Sequence, residues 1–107
     1  MFGLKEQHIE TINRCFENYT NIELVIIYGS RAVGNYRNGS DIDLAIVSTN
    51  DFNFQQLMNL ENEIDDLLLP YKIDLAVKSK INNTGLVAHI ENDGKIFYDR
   101  SGKMQVL

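Results

Sequence analysis

Asp41 and Asp43 stand two residues apart in an alternating apolar run, and Asp74 lies thirty-one positions beyond Asp43 inside a matching Ile-Asp-Leu triplet. On an extended strand, residues two apart project from one face about 6.6 Å apart, and a neighbouring strand lies about 4.8 Å away, so three such carboxylates can converge. Without a cation they repel one another and raise at least one pKa, a cost that a purely structural arrangement has no reason to keep. Mg²⁺ is a hard ion held by one or two carboxylates plus substrate phosphates, and paired metals about 3.5–4 Å apart clamp the attacking and leaving oxygens of a phosphoryl transfer. Asp41 and Asp43 therefore suit metal binding, and Asp74 can complete the site and take a proton. A lone aspartate at a strand edge is ordinarily solvated or caps a turn; three at pleat-matched positions, preceded by a glycine turn, point to a site.

That turn is Gly29-Ser30-Arg31, directly after an apolar run and ten residues before Asp41-Ile42-Asp43. Its backbone N–H groups and the Ser30 hydroxyl can wrap an anion, and Arg31 offers further donors, so the three residues are expected to hold the β- and γ-phosphates of a nucleotide. No Gly-Lys-Ser/Thr follows and no Gly-x-Gly-x-x-Gly is present, which excludes the P-loop and the dinucleotide fingerprint. Arg37 reads as a solvated loop arginine. His8 and His89 read as surface or half-buried histidines and receive no ligand role.

The elements that must position these residues follow from periodicity. Residues 4–19 carry Ile9, Ile12, Phe16 and Tyr19 at helical spacing. Residues 22–28 form a β-branched run that reads as a strand buried on both faces. Residues 29–40, rich in Gly and Asn, read as a functional loop with one helical turn after Ser30. Residues 41–48 alternate as a second strand, with Ile42, Leu44 and Ile46 on one side and both carboxylates on the other. Asn53 caps a second helix carrying Leu57, Leu60, Ile64, Leu67 and Leu68, which Pro70 stops. Its acidic run, Glu61, Glu63, Asp65 and Asp66, reads as a solvated face, and Phe52 and Phe54 before it as core or staple residues. Residues 72–77 repeat the design of the second strand. A short helix over residues 84–92 ends at Asp93-Gly94, a C-cap signal, and residues 96–98 make a last strand. The tail beyond Arg100 is polar and expected to fray.

Helix, strand, loop, strand, helix, strand, helix, strand describes an α/β (α+β) domain: a mixed sheet of about four strands with helices packed on it. The loop between the first two strands is too short for a crossover and predicts an antiparallel pair; the helix between the second and third permits a parallel one. The length of 107 residues predicts one domain over residues 1–107. Hydrophobic residues make up 44% and no run reaches the ~20 residues that cross a bilayer, which excludes a spanning protein. No secretory signal is recognisable, so a cytoplasmic location is expected. The single Cys15 reads as a core residue. A net charge of -5 argues against direct nucleic-acid binding, while a bound cation could still bring in an anionic small molecule.

Gly29-Ser30-Arg31-Ala32, Gly34, Ser40-Asp41-Ile42-Asp43-Leu44 and Ile73-Asp74-Leu75 together resemble the signature of the minimal nucleotidyltransferase (MNT) domains of the DNA polymerase beta-like superfamily. The resemblance runs from the first helix to Tyr98; one departure is Val33, where many relatives carry a basic or small polar residue. It implies the polymerase beta-like fold and transfer of a nucleoside monophosphate from a nucleoside triphosphate with Mg²⁺, with ATP as the expected substrate; metal roles fall to Asp41, Asp43 and Asp74, activation of the acceptor hydroxyl to Asp74, and triphosphate binding to the Gly-Ser pair. Small members are often encoded beside a HEPN-domain toxin and act as antitoxins, some adenylylating a tyrosine of that partner. The resemblance thus implies a HEPN-type toxin as partner, a hetero-oligomer, and AMP transfer as the activity. The alternative is a non-catalytic antitoxin or nucleotide-binding module that inhibits its partner by steric binding.

Overall fold

The apolar run becomes β1 (Ile22–Tyr28), an inner strand of a four-stranded sheet ordered β3-β2-β1-β4. The structure, a computed structural model, describes residues 1–102. Along the chain the elements are α1 (Glu6–Glu17), β1, α2 (Ser30–Val33), β2 (Ile42–Ser48), α3 (Phe54–Asp65), β3 (Ile73–Val77), a 3-10 turn (Lys78–Lys80), α4 (Thr84–Asp93) and β4 (Lys95–Asp99). β1 and β2 are antiparallel, with Ile27 opposite Leu44 and Tyr28 opposite Asp43; β2 and β3 are parallel, from Ile42 beside Ile73 to Ile46 beside Val77. β4 closes the far side antiparallel to β1. Both predicted strand senses are found, and the single turn of α2 lies where a helical turn is expected.

One sheet face is the core. Val25, Ile27, Ile42, Leu44 and Ile46 are fully buried there, under Ile12, Cys15 and Phe16 of α1 and Leu60 and Ile64 of α3. Asn53 holds the start of α3 through a reciprocal capping box: its side chain accepts from the Gln56 backbone N–H at 2.8 Å, and the Gln56 side chain accepts from the Asn53 N–H at 3.2 Å. The opposite face carries Asp43 and Asp74, and α4 lies on it against β1. Among the described residues no helix is long and apolar enough to cross a membrane.

Several expectations are corrected. The second face of β1 is half-buried at Leu24, Ile26 and Tyr28, because α4 covers only part of it. α3 stops at Asp65, so Leu67 and Leu68 lie beyond it; Leu68 takes a left-handed φ of 54° and is 88% exposed. Glu63 is half-buried rather than solvated, because it accepts the Tyr19 hydroxyl across the α1–α3 contact. Phe52 enters the core, whereas Phe54 is exposed. The 3-10 turn carries no apolar period that could announce it. The part of the tail expected to fray beyond residue 102 lies outside the described residues.

Gly94 does follow the last helix, but its φ of -66° is open to any residue. Space requires the glycine here: a Cβ would lie 2.3 Å from the Ile90 carbonyl oxygen and 2.5 Å from Ile26 Cγ2. Gly94→Ala should therefore lower stability by about 1–3 kcal/mol through overpacking between α4 and β1. Chemical denaturation checks this, and an unchanged midpoint would show that α4 can shift freely on the sheet.

Candidate functional site

Asp43 and Asp74 are register partners on adjacent parallel strands, so their side chains leave the same sheet face side by side. Alternation fixes that face: the neighbours Ile42 and Leu44, and Ile73 and Leu75, turn inward to the core. Asp41 lies just before β2, two residues from Asp43, and is exposed, as is Asp74; Asp43 is half-buried. Burial pushes the Asp43 carboxyl above its usual range, Asp74 and Asp41 push it further, and Lys72 partly opposes them. Tyr28, opposite Asp43 on β1, has its phenol pushed up by burial and by the same two carboxylates, Asp43 and Asp74.

Gly29 joins this acidic row to the turn. With φ 77° and ψ -158°, a conformation that glycine adopts without steric cost, it brings the backbone so close that a Cβ would lie 2.7 Å from Asp43 Oδ2. The Gly29 carbonyl then accepts from Ala32 and Val33, starting α2, and Ser30 stands half-buried at the first position of that turn. Gly29, Ser30, Asp41, Asp43 and Asp74 are thus brought to one end of the sheet.

Arg31 is not part of that surface, and its expected role in holding phosphate is corrected. It is 3% exposed, donates from Nε to the Ser40 carbonyl at 3.0 Å and from Nη1 to the Phe2 carbonyl at 2.9 Å, and faces the rings of Tyr36 and Tyr71 at 5.3 and 5.4 Å. The guanidinium fork is spent on tying the N-terminal segment to the end of the loop that delivers Asp41. Tyr71 is itself held by His8, whose Nδ1 lies 3.1 Å from the tyrosine hydroxyl.

Sequence reasoning passed over Tyr28 and read His89 only as a surface or half-buried histidine, which its one-third exposure bears out without giving its contacts. His89 of α4 lies against the turn: the Gly29 N–H donates to its Nε2 at 3.2 Å, and its ring meets that of Tyr28 edge-on at 6.3 Å. A pairing sixty residues apart leaves no local signal, although Tyr28 could have been found as the residue preceding the glycine turn on a strand antiparallel to the carboxylate strand.

The donor chemistry fits a divalent cation. Asp43 is a hard oxygen donor whose carboxyl is raised first by burial and then by the charges of Asp74 and Asp41, and the Gly29 backbone packs directly against its Oδ2 with no Cβ between them. Among the described residues no three or more His, Cys, Asp or Glu side chains form a ready metal cage, so the expected three-way convergence is a paired Asp43 and Asp74 with Asp41 nearby. Mg²⁺ ordinarily counts substrate oxygens and waters among its ligands.

A four-stranded mixed sheet with paired aspartates facing a glycine-serine turn is the framework of a nucleotidyl-transferring enzyme. Residues 10–103 match the family described as polymerase beta, nucleotidyltransferase; the chain belongs to that family and is a nucleotidyltransferase, with a nucleotide as substrate. Two proteins of Methanocaldococcus jannaschii, each named as a candidate protein adenylyltransferase, are 35% identical to it over 72 residues, covering 67% of this chain and 72% of theirs. The fold is also similar to that in a crystal structure of a toxin–antitoxin with AMP-PNP, with a TM-score of 0.68 at 21% identity over 96% of this chain and 80% of that one. A structure of tri-AMPylated Shewanella oneidensis HEPN toxin in complex with MNT antitoxin gives a TM-score of 0.66 at 16% identity, over 96% of this chain and 79% of that one.

Two outcomes follow from these contacts. Arg31→Ala leaves a buried space and two carbonyls without their donor, and should cost roughly 2–4 kcal/mol of stability; a loss confined to nucleotide binding, with an unchanged melting midpoint, would return Arg31 to the phosphate surface. For Asp43, the folded carboxyl pKa lies above its ordinary value of 3.8, so the native state binds the proton more tightly and stability falls as pH rises above that value. Asp43→Asn should therefore melt higher than the wild type at neutral pH, each kcal/mol regained appearing as about 4–8 °C. The gain should vanish in acid, as thermal unfolding across a pH series would show.

Proposed function

We propose that this nucleotidyltransferase transfers AMP from Mg²⁺-bound ATP to a hydroxyl, that of a tyrosine, on a HEPN-type toxin, and so serves as the antitoxin of a toxin–antitoxin pair. The observation that carries this reading is the pairing of Asp43 with Asp74 beside the Gly29-Ser30 turn, in a chain of this family. The names of the Methanocaldococcus jannaschii relatives support a protein acceptor, and the toxin–antitoxin structures with the similar fold support the kind of partner. In this reading the chain acts as one nucleotidyltransferase domain within a hetero-oligomer in the cytoplasm.

Asp41 and Asp43 would hold Mg²⁺, with Asp74 completing the set. When bound, the cation neutralises charge on the triphosphate and polarises the phosphorus under attack. The Ser30 hydroxyl and the backbone N–H groups of Ser30 and Arg31 donate to triphosphate oxygens, the Gly29 N–H being engaged by His89. Asp74 accepts the proton of the acceptor hydroxyl as that oxygen bonds to the α-phosphorus and pyrophosphate leaves. Asp74 suits this role because it is the exposed member of the pair, reachable from outside. Arg31 and Tyr71 take no part in the chemistry; they hold the loop that ends at Asp41.

Asp74→Asn keeps the shape of the side chain but removes both a charge and the proton acceptor, and loss of a general base costs about 10²–10⁴ in rate. With ATP labelled in the α-phosphate, the wild-type chain should label its purified HEPN partner, and the variant should lose most of that label while still co-eluting with the partner. No label on the partner from the wild type would overturn the reading. Full neutralisation of the toxin in cells by an unlabelling variant would favour steric inhibition.

A further inference from the structure

His89 lies outside every motif discussed above, yet it touches the turn on which the nucleotide site depends. It is on α4, its side chain a third exposed, and its two ring nitrogens face opposite partners. Nε2 lies 3.2 Å from the Gly29 backbone nitrogen, and Nδ1 lies 3.1 Å from Asp93 Oδ2, one helical turn further along. A backbone N–H can only donate, so Nε2 must present its lone pair. The ring proton of the neutral imidazole then belongs on Nδ1, where the Asp93 carboxylate accepts it. Two independent contacts thus select the same tautomer.

What this chain holds is a conformation with little else to fix it. Gly29 has φ 77°, and glycine is the residue with the most backbone freedom to lose. Its peptide must nevertheless be aimed, because its carbonyl starts α2, its Cα faces Asp43 Oδ2 and its next neighbour is Ser30. The edge-on contact between His89 and Tyr28 pins the ring from the strand side. The close contact of Gly94 with Ile26 pins α4 itself to the sheet.

We propose that His89 is a positioning residue for the nucleotide-binding turn: the Asp93–His89–Gly29 chain orients Gly29 and Ser30 beside the Asp43–Asp74 pair. That the turn receives a triphosphate rests on the proposed function; that His89 holds the turn does not.

The test separates the two. His89→Leu keeps bulk without an acceptor, whereas the side-chain oxygen of His89→Gln can reach the place of Nε2. In the nucleotide-free protein, the Gly29 amide should exchange with solvent about tenfold faster in His89→Leu than in the wild type, and His89→Gln should restore much of the protection. ¹⁵N shifts of the wild-type ring should show the proton on Nδ1. In the transfer assay, His89→Leu should lose about 10- to 100-fold in kcat/KM, most of it in KM for ATP, with His89→Gln intermediate or better. Unchanged Gly29 exchange in a folded His89→Leu, a ring protonated on Nε2, or a His89→Gln variant as impaired as His89→Leu would overturn the assignment. Altered Gly29 exchange in a chain that transfers no nucleotide would leave His89 as the anchor of the turn and overturn the function instead.

Discussion

Like charges held side by side are the constraint on which this molecule is built. Two like charges about 4 Å apart repel by on the order of 1–4 kcal/mol in the dielectric of a protein surface, and the sheet register sets Asp43 and Asp74 opposite one another on adjacent strands. The opposing gain comes from the other face of the same strands. Ile42, Leu44 and Ile46 are fully buried, and each such side chain contributes about 1.5–3 kcal/mol. Because the pleat has a period of two, slipping β3 by one residue to relieve the carboxylates would turn Ile73, Leu75 and Val77 to solvent. Hydrophobic burial therefore wins, and the carboxyl of Asp43 is raised by its own burial first and by its neighbours Asp74 and Asp41 second.

The loop between β1 and β2 solves a related problem with polar contacts. Residues 34–39 are exposed and supply nothing to the core, so their ends need other anchors. Arg31 provides one by binding carbonyls at Phe2 and Ser40 between two tyrosine rings. A lysine could not substitute, because a single ammonium on a flexible stem lacks the planar fork that meets two carbonyls while stacking on aromatics. His89 provides another, on the opposite side of the turn. Rigid positioning of a short glycine turn thus depends on side chains contributed from α2 and α4.

The sequence made legible what local periodicity encodes. The residues of β1, the alternation of β2 and β3, both strand senses and the turn of α2 follow from pattern and loop length. The pairing of Asp43 with Asp74 was legible for the same reason, since matching Ile-Asp-Leu triplets on parallel strands fall into register. Arg31 was misread because a charged residue after a glycine turn looks exposed until Phe2, Tyr36 and Tyr71 close round it from three separate parts of the chain. His89 and Gly94 escaped for a different reason: their partners lie across the sheet, and the sequence carries no period linking a helix to the strand it crosses. The overlong second helix came from treating Leu67 and Leu68 as a continuing stripe, although the helix is capped at Asp66 and the chain reverses hand at Leu68.

β3 lies at the margin of the sheet, and Asp74 points outward from it. Among the described residues no further strand stands beside it, and Asp74 is exposed there. A deep cleft sorts small molecules by the shape of its walls, and a marginal strand has none to offer. In the proposed function, discrimination comes from the visitor: an acceptor that brings its own extensive surface, and docks well away from the reacting oxygen, can be recognised in bulk and delivered to a single point. Such a geometry rewards substrates that are themselves folded, because only a rigid body can hold one hydroxyl still at the edge of another molecule.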